Sequence, residues 1–85
     1  MESTDHIGLS EALEQIESGE WQKAHAIVQQ HETPQACWLH GIVHLMEGDL
    51  ENARYWYSRA ERPFSDNLPR EIAAVRDALS SGGDV

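Results

Sequence analysis

The chain has 85 residues, with 15 Asp and Glu against 6 Lys and Arg and a formal net charge of -9. A chain of this length folds as one domain with little room for a deep substrate cleft, and its negative surface repels phosphate backbones and anionic lipid, which removes nucleic acid and membranes from the expected partners. Its 40% of hydrophobic residues and 3 tryptophans exceed what a disordered chain carries.

A single cysteine, Cys37, excludes an intrachain disulfide and fits a reducing compartment. The start Met1-Glu2-Ser3-Thr4-Asp5 has neither the basic nor the apolar region of a secretory signal. No apolar run reaches the roughly 18 residues of a membrane span. The expected location is cytoplasmic.

Apolar residues recur at helical spacing, and no two-residue alternation persists, so the expected class is all-α. The first helix covers about 9–18, with Leu9, Leu13 and Ile16 on one stripe and Glu11, Glu14 and Glu17 on a solvated face. Gly19 ends it. The second runs over about 20–30, with Trp21, Ala24 and Val28 inward and His31 at its end, suited to the helix dipole. Thr33 as N-cap and Pro34 at the first helical position open the third, which runs to Glu47 and stops at Gly48. Asp49 caps the fourth, over about 50–61, before Pro63 forbids continuation. The last spans about 69–80 on the stripe Leu68, Ile72, Val75 and Leu79. Short connections make sequential helices antiparallel neighbours. The domain thus divides into a degenerate hairpin over 9–31, a good hairpin over 34–62, a capping helix over 68–80 and a flexible tail over 81–85.

A weak internal repeat fits this division. Gly19-Glu20-Trp21 with Ala24 and Val28 recurs 29 residues later as Gly48-Asp49-Leu50 with Ala53 and Tyr57. The segment 37–63, through Gly41, Gly48, Asp49, Ala53, Tyr57 and Ala60, resembles a tetratricopeptide repeat. The resemblance implies an α-α superhelix fragment in which Gly41 receives the Ala53, Tyr57 and Ala60 face. It also implies a scaffold for protein–protein contacts and no single activity. The run from Trp38 to Tyr57 is also similar to a group of short bacterial proteins from which no activity carries over.

The third helix departs from the repeat. In slots where the family presents large apolar residues, this chain has Cys37, His40 and His44. No Asp, Glu, Lys or Arg occurs from Thr33 to Met46, so the helix is apolar nearly all round and must be enclosed. The remaining stripe is Cys37, His40, Gly41, His44 and Glu47.

Two readings follow. His40 and His44 are one turn apart, the spacing that lets two imidazoles meet one divalent transition metal, with Glu47 beside His44 and His25 as a further candidate. Residues seven apart lie roughly 10.5 Å apart along the axis, so Cys37 cannot readily join His44 on one ion, nor His40 join Glu47. Alternatively both imidazoles are core groups hydrogen-bonded to Tyr57 or Asn52. Cys37 reads as a buried filler.

Tyr55, Trp56 and Tyr57 point about 100° apart, so they cannot face one partner. Tyr55 and Trp56 either cover the last helix or form an interaction patch with Arg59. Two and a half hairpins fall short of the roughly three that stack stably. The leading expectation is therefore a non-enzymatic, self-associating interaction module without a cofactor. The alternative is a metal- or small-ligand-binding protein using the His40/His44 face.

Overall fold

Helix boundaries follow from capping chemistry. The computed structural model describes the backbone of residues 4–82 and the side chains of residues 7–80. It contains α1 (Thr4–Glu17), α2 (Trp21–Val28), α3 (Pro34–Glu47), α4 (Leu50–Arg59) and α5 (Leu68–Gly82), with no strand among the described residues. Gly19 and Gly48 end α1 and α3 in the left-handed region, at φ 85 and 86, where a side chain would clash with its own backbone. The Thr33 hydroxyl accepts from the Ala36 N–H at 3.2 Å to start α3, and the Asp49 carboxylate accepts from the Asn52 N–H at 3.2 Å to start α4. These satisfy N–H groups that the first helical turn leaves without intrahelical partners.

Four ends differ from expectation: α2 stops at Val28 rather than about residue 30, α4 stops at Arg59 rather than about 61 because the chain turns left-handed at Glu61, and the outer ends of α1 and α5 reach further. The first helix begins at Thr4 rather than residue 9, because the apolar stripe marks where α1 is buried, not where it starts; Ile7, within the helix, is 66% exposed. The last helix continues through Ser81 and Gly82, which the expected tail had claimed. The remainder of that tail, 83–85, lies outside the described residues.

α1 packs on α2 and α3 on α4, giving two helical hairpins, with α2 against α3 joining them. α5 lies across α1 and α3 and reaches α4 through the Tyr57–Glu71 side-chain contact. The sequence left open whether Tyr55 and Trp56 cover the last helix; Tyr55 is 52% exposed and Trp56 stacks on His40 of α3. Every residue of α3 from Ala36 to Val43 is buried. The cover that this apolar helix requires is supplied within one chain. Leu9, Ala12 and Ile16 of α1, Ala24 and Val28 of α2, and Val75 and Leu79 of α5 complete the core. Among the described residues no helix is long and apolar enough to cross a membrane.

α3 and α4 approach closely at Gly41. A Cβ on Gly41 would lie 2.6 Å from Tyr57 Cδ1 and 3.3 Å from the Ala53 carbonyl oxygen. Ala53 and Tyr57 are fully buried and Ala60 nearly so. Tyr57 and Ala53 thus meet Gly41, and Ala60, expected with them, is buried at the end of α4.

Tyr57 cannot retreat. Its hydroxyl donates to Glu71 Oε1 at 2.8 Å, and the Trp38 indole N–H donates to the same oxygen at 3.0 Å. Glu71 is a core carboxylate, 6% exposed, fixed by donors from α3 and α4. Burial and this carboxylate push the Tyr57 phenol well above its usual range.

Candidate metal site

On the other side of α3, His25, His40 and His44 converge. Helical spacing aligns His40 and His44, whose rings stack at 5.1 Å between centroids. The α2–α3 packing brings His25 edge-on to both, at 4.8 Å from His40 and 5.3 Å from His44. One ring nitrogen from each of the three lies within 4.8 Å of the other two. An ion bonded to nitrogen at about 2.0–2.1 Å holds tetrahedral ligands about 3.3 Å apart, so the rings need to close by about 1.5 Å at most. His25 is half-buried on α2.

His40 is 5% exposed. Its ring nitrogens make no hydrogen bond among the described residues, and they are not shut off from water. The Trp56 indole stacks flat on it, 3.8 Å between centroids and 8° from parallel. Desolvation, then the neighbouring His25 and His44 and the more distant Arg59, hold the His40 imidazole down at about 4. At neutral pH it is uncharged, the state a metal ligand requires.

His44 differs. Its Nδ1 lies 2.8 Å from Glu47 Oε1, and its side chain is 12% exposed. An ionised carboxylate only accepts, so Nδ1 donates to it, and in the neutral ring Nε2 then carries the free lone pair. A carboxylate on the outer nitrogen is the usual means of orienting an imidazole ligand and raising its basicity. Glu47, expected as a ligand, is thus engaged with His44. It also belongs to a second, more exposed group in which His44, Glu47 and Asp49 offer atoms within 4.8 Å of one another.

The core hydrogen bonds expected for the histidines do not form. Tyr57 donates to Glu71, and Asn52 Nδ2 donates to Asp49 Oδ2 at 2.8 Å, which with the Asn52 N–H bond holds the Asp49 carboxyl below its usual range. Cys37 is buried, and desolvation raises its thiol, so it is the filler expected. Tyr55 is 52% exposed, and its hydroxyl accepts from Arg59 at 3.4 Å, while the Arg59 guanidinium lies 5.2 Å from the Trp56 ring centre. His31 does more than end a helix, since its Nε2 lies 2.8 Å from where a Gly8 Cβ would be.

Sequence reasoning missed Glu71 and the role of Trp56. A signal for Glu71 existed: position 71 falls between Leu68 and Val75 on the apolar stripe of α5, at spacings of three and four. A glutamate there is either misplaced or partnered. No signal pointed to Trp56 stacking on His40, because it depends on how α4 rotates against α3.

No protein family, curated protein or solved structure matches this chain.

Proposed function

We propose that the chain binds one divalent transition metal ion through His25, His40 and His44. The observation that carries this reading is the convergence of three imidazole nitrogens within 4.8 Å on two helices, one of them on a ring without a hydrogen-bond partner among the described residues. Imidazole donors suit zinc, copper, nickel and cobalt, whereas calcium and magnesium want oxygen. Glu47 orients His44, and Trp56 walls the site beside His40. Three ligands leave an ion one position for water or an outside donor.

Protein purified without an affinity tag, treated with chelator and dialysed, should take up one equivalent of zinc or copper. Copper(II) should quench tryptophan fluorescence through Trp56. His25→Ala and His40→Ala should each lose stoichiometric uptake while the far-ultraviolet dichroism stays helical. Uptake unchanged in both variants would refute the site.

A second reading, the self-associating interaction module of tetratricopeptide type in the cytoplasm, is supported by the exposed Tyr55–Arg59 pair and by the Gly41–Tyr57 hairpin contact. It has lost one argument, since α3 is enclosed without a partner. Light scattering at two concentrations tests it: a mass that stays at 9.6 kDa excludes self-association.

A further inference from the structure

Among the described residues the only buried side-chain polar atom without a hydrogen-bond partner is Arg62 Nε. It is remote in kind from the histidine site: a permanent cation, not a neutral donor. Its guanidinium lies 3.4 Å from the centre of the Trp38 ring. That ring is immobile, because Trp38 is 5% exposed and its N–H is tied to Glu71. Although the chain has 15 acidic residues, Arg62 makes no ion pair among the described residues. An arginine in so acidic a protein finds a carboxylate unless the fold keeps it from one.

The fold does so at the end of α4. The chain turns through Glu61 at φ 61, a left-handed position that favours glycine. The Arg62 N–H returns to the Tyr57 carbonyl at 3.1 Å. This turn lays the guanidinium back over Trp38, beside a cavity of about 350 Å³. Pro34, Ala60 and Ala78 supply apolar wall, and Gln35 and Glu61 supply polar wall. The volume falls at the small end of ligand pockets, roughly 300–1,000 Å³.

We infer that this cavity is a second binding site, for a small organic monocarboxylate whose apolar body lies against Trp38, Ala60 and Ala78 and whose carboxylate meets Arg62. Three features select that class. A guanidinium held 3.4 Å over an indole is a positioned cation whose paired N–H groups match the two oxygens of a carboxylate. The apolar wall rewards a hydrocarbon body, which inorganic anions lack. The exposed Glu61 carboxylate repels a second negative charge, which disfavours phosphate and dicarboxylates.

The test is a nitrogen-15 NMR titration of the full chain, freed of metal and of chelator, with benzoate, benzyl alcohol and inorganic phosphate. Benzoate should shift the Arg62 Nε–H and Trp38 indole N–H resonances saturably, with millimolar affinity. Benzyl alcohol, the uncharged analogue, and phosphate should each bind at least tenfold more weakly. Arg62→Lys, which keeps the charge and loses the paired N–H groups, should weaken benzoate about tenfold, about 1.4 kcal/mol. Ala78→Leu should fill the cavity and abolish the shifts. If either variant unfolds, the three-probe comparison on the unmodified chain still decides. No saturation by about 20 mM benzoate, or equal binding of benzyl alcohol or phosphate, overturns the inference.

Discussion

The two sides of α3 bury polar groups in opposite ways. Toward α5, one carboxylate receives two donors: Trp38 and Tyr57 both end on Glu71 Oε1. Toward α2 and α4, three imidazoles face one another, and the most buried, His40, has an indole on its face and no hydrogen-bond partner among the described residues. A closed network accounts for itself, since each member removes the desolvation cost of another. Three imidazoles with a nitrogen each within 4.8 Å of the others do not balance one another in that way, and the proposed metal ion would complete them. Buried polarity on its own therefore marks no site; what distinguishes the two sides is whether donors and acceptors balance within the protein.

Breaking the closed side should have the largest effect. Glu71→Ala strands a buried indole N–H and a buried phenol at once, and should cost about 3–5 kcal/mol of folding stability. Glu71→Gln keeps an acceptor oxygen and should cost about 1 kcal/mol. Denaturant titration measures both. Equal losses in the two variants would mean that the donors require the carboxylate charge and that an amide oxygen of the same bulk does not replace it. Gly41→Ala probes the same wall of the core. Its methyl would meet a Tyr57 ring that the Glu71 bond prevents from moving, so about 2–3 kcal/mol should be lost.

The open side should respond to protons instead. His40 titrates near 6.5 in the unfolded chain and at about 4 in the folded one. Between those values the unfolded state binds more protons, so stability contributed by neutral His40 is complete above about pH 6.5, falls as the pH drops through the window, and levels off below about 4. The groups facing it, His25 from α2, His44 on α3 and Arg59 from α4, all push in that direction. For chelator-treated protein the loss should reach about 2–3 kcal/mol. His40→Gln should flatten this part of the stability–pH curve, measured by urea unfolding at a series of pH values. A curve of unchanged slope would mean that His40 is solvated and not held neutral by burial.

Glu47 connects the open side to solvent, and its removal sharpens the comparison. Glu47→Gln should leave apo stability nearly unchanged, because the carboxylate is exposed, yet lower zinc affinity about 10–100-fold by releasing the orientation of His44. Competition with a chromophoric chelator reads the affinity. A loss of bound metal no larger than that caused by a distant Glu→Gln change would reduce Glu47 to a surface charge.

How much of this was legible beforehand depends on which residues carried the information. Periodicity and caps are local, and they located all five helices because Gly19, Thr33-Pro34, Gly48 and Asp49 act within one turn of themselves. The Gly41–Tyr57 contact was legible through the tetratricopeptide likeness of its residues. His40 and His44 lie on one helix, so their alignment follows from spacing. His25 was named but unplaced, since its approach depends on the α2–α3 crossing, a tertiary property. Glu71 and Arg62 were missed for the same reason: a charged residue on an apolar stripe, and one following a left-handed turn, gain meaning only from partners on other helices.

The smallest effect should come from the one described ion pair that joins distant elements at the surface. Arg76 of α5 meets Glu17 of α1 at 2.7 Å, with both side chains more than a third exposed. Water screens both charges, and ordering two long side chains opposes the attraction, so such pairs contribute about 0–1 kcal/mol. A double-mutant cycle with Arg76→Gln and Glu17→Gln, read by chemical denaturation at low and high salt, should therefore return a small coupling that fades as salt rises. A coupling comparable to the Glu71 loss would mean that α5 is held to α1 chiefly by this contact. The balanced network beneath it would then be a consequence of docking, not its cause.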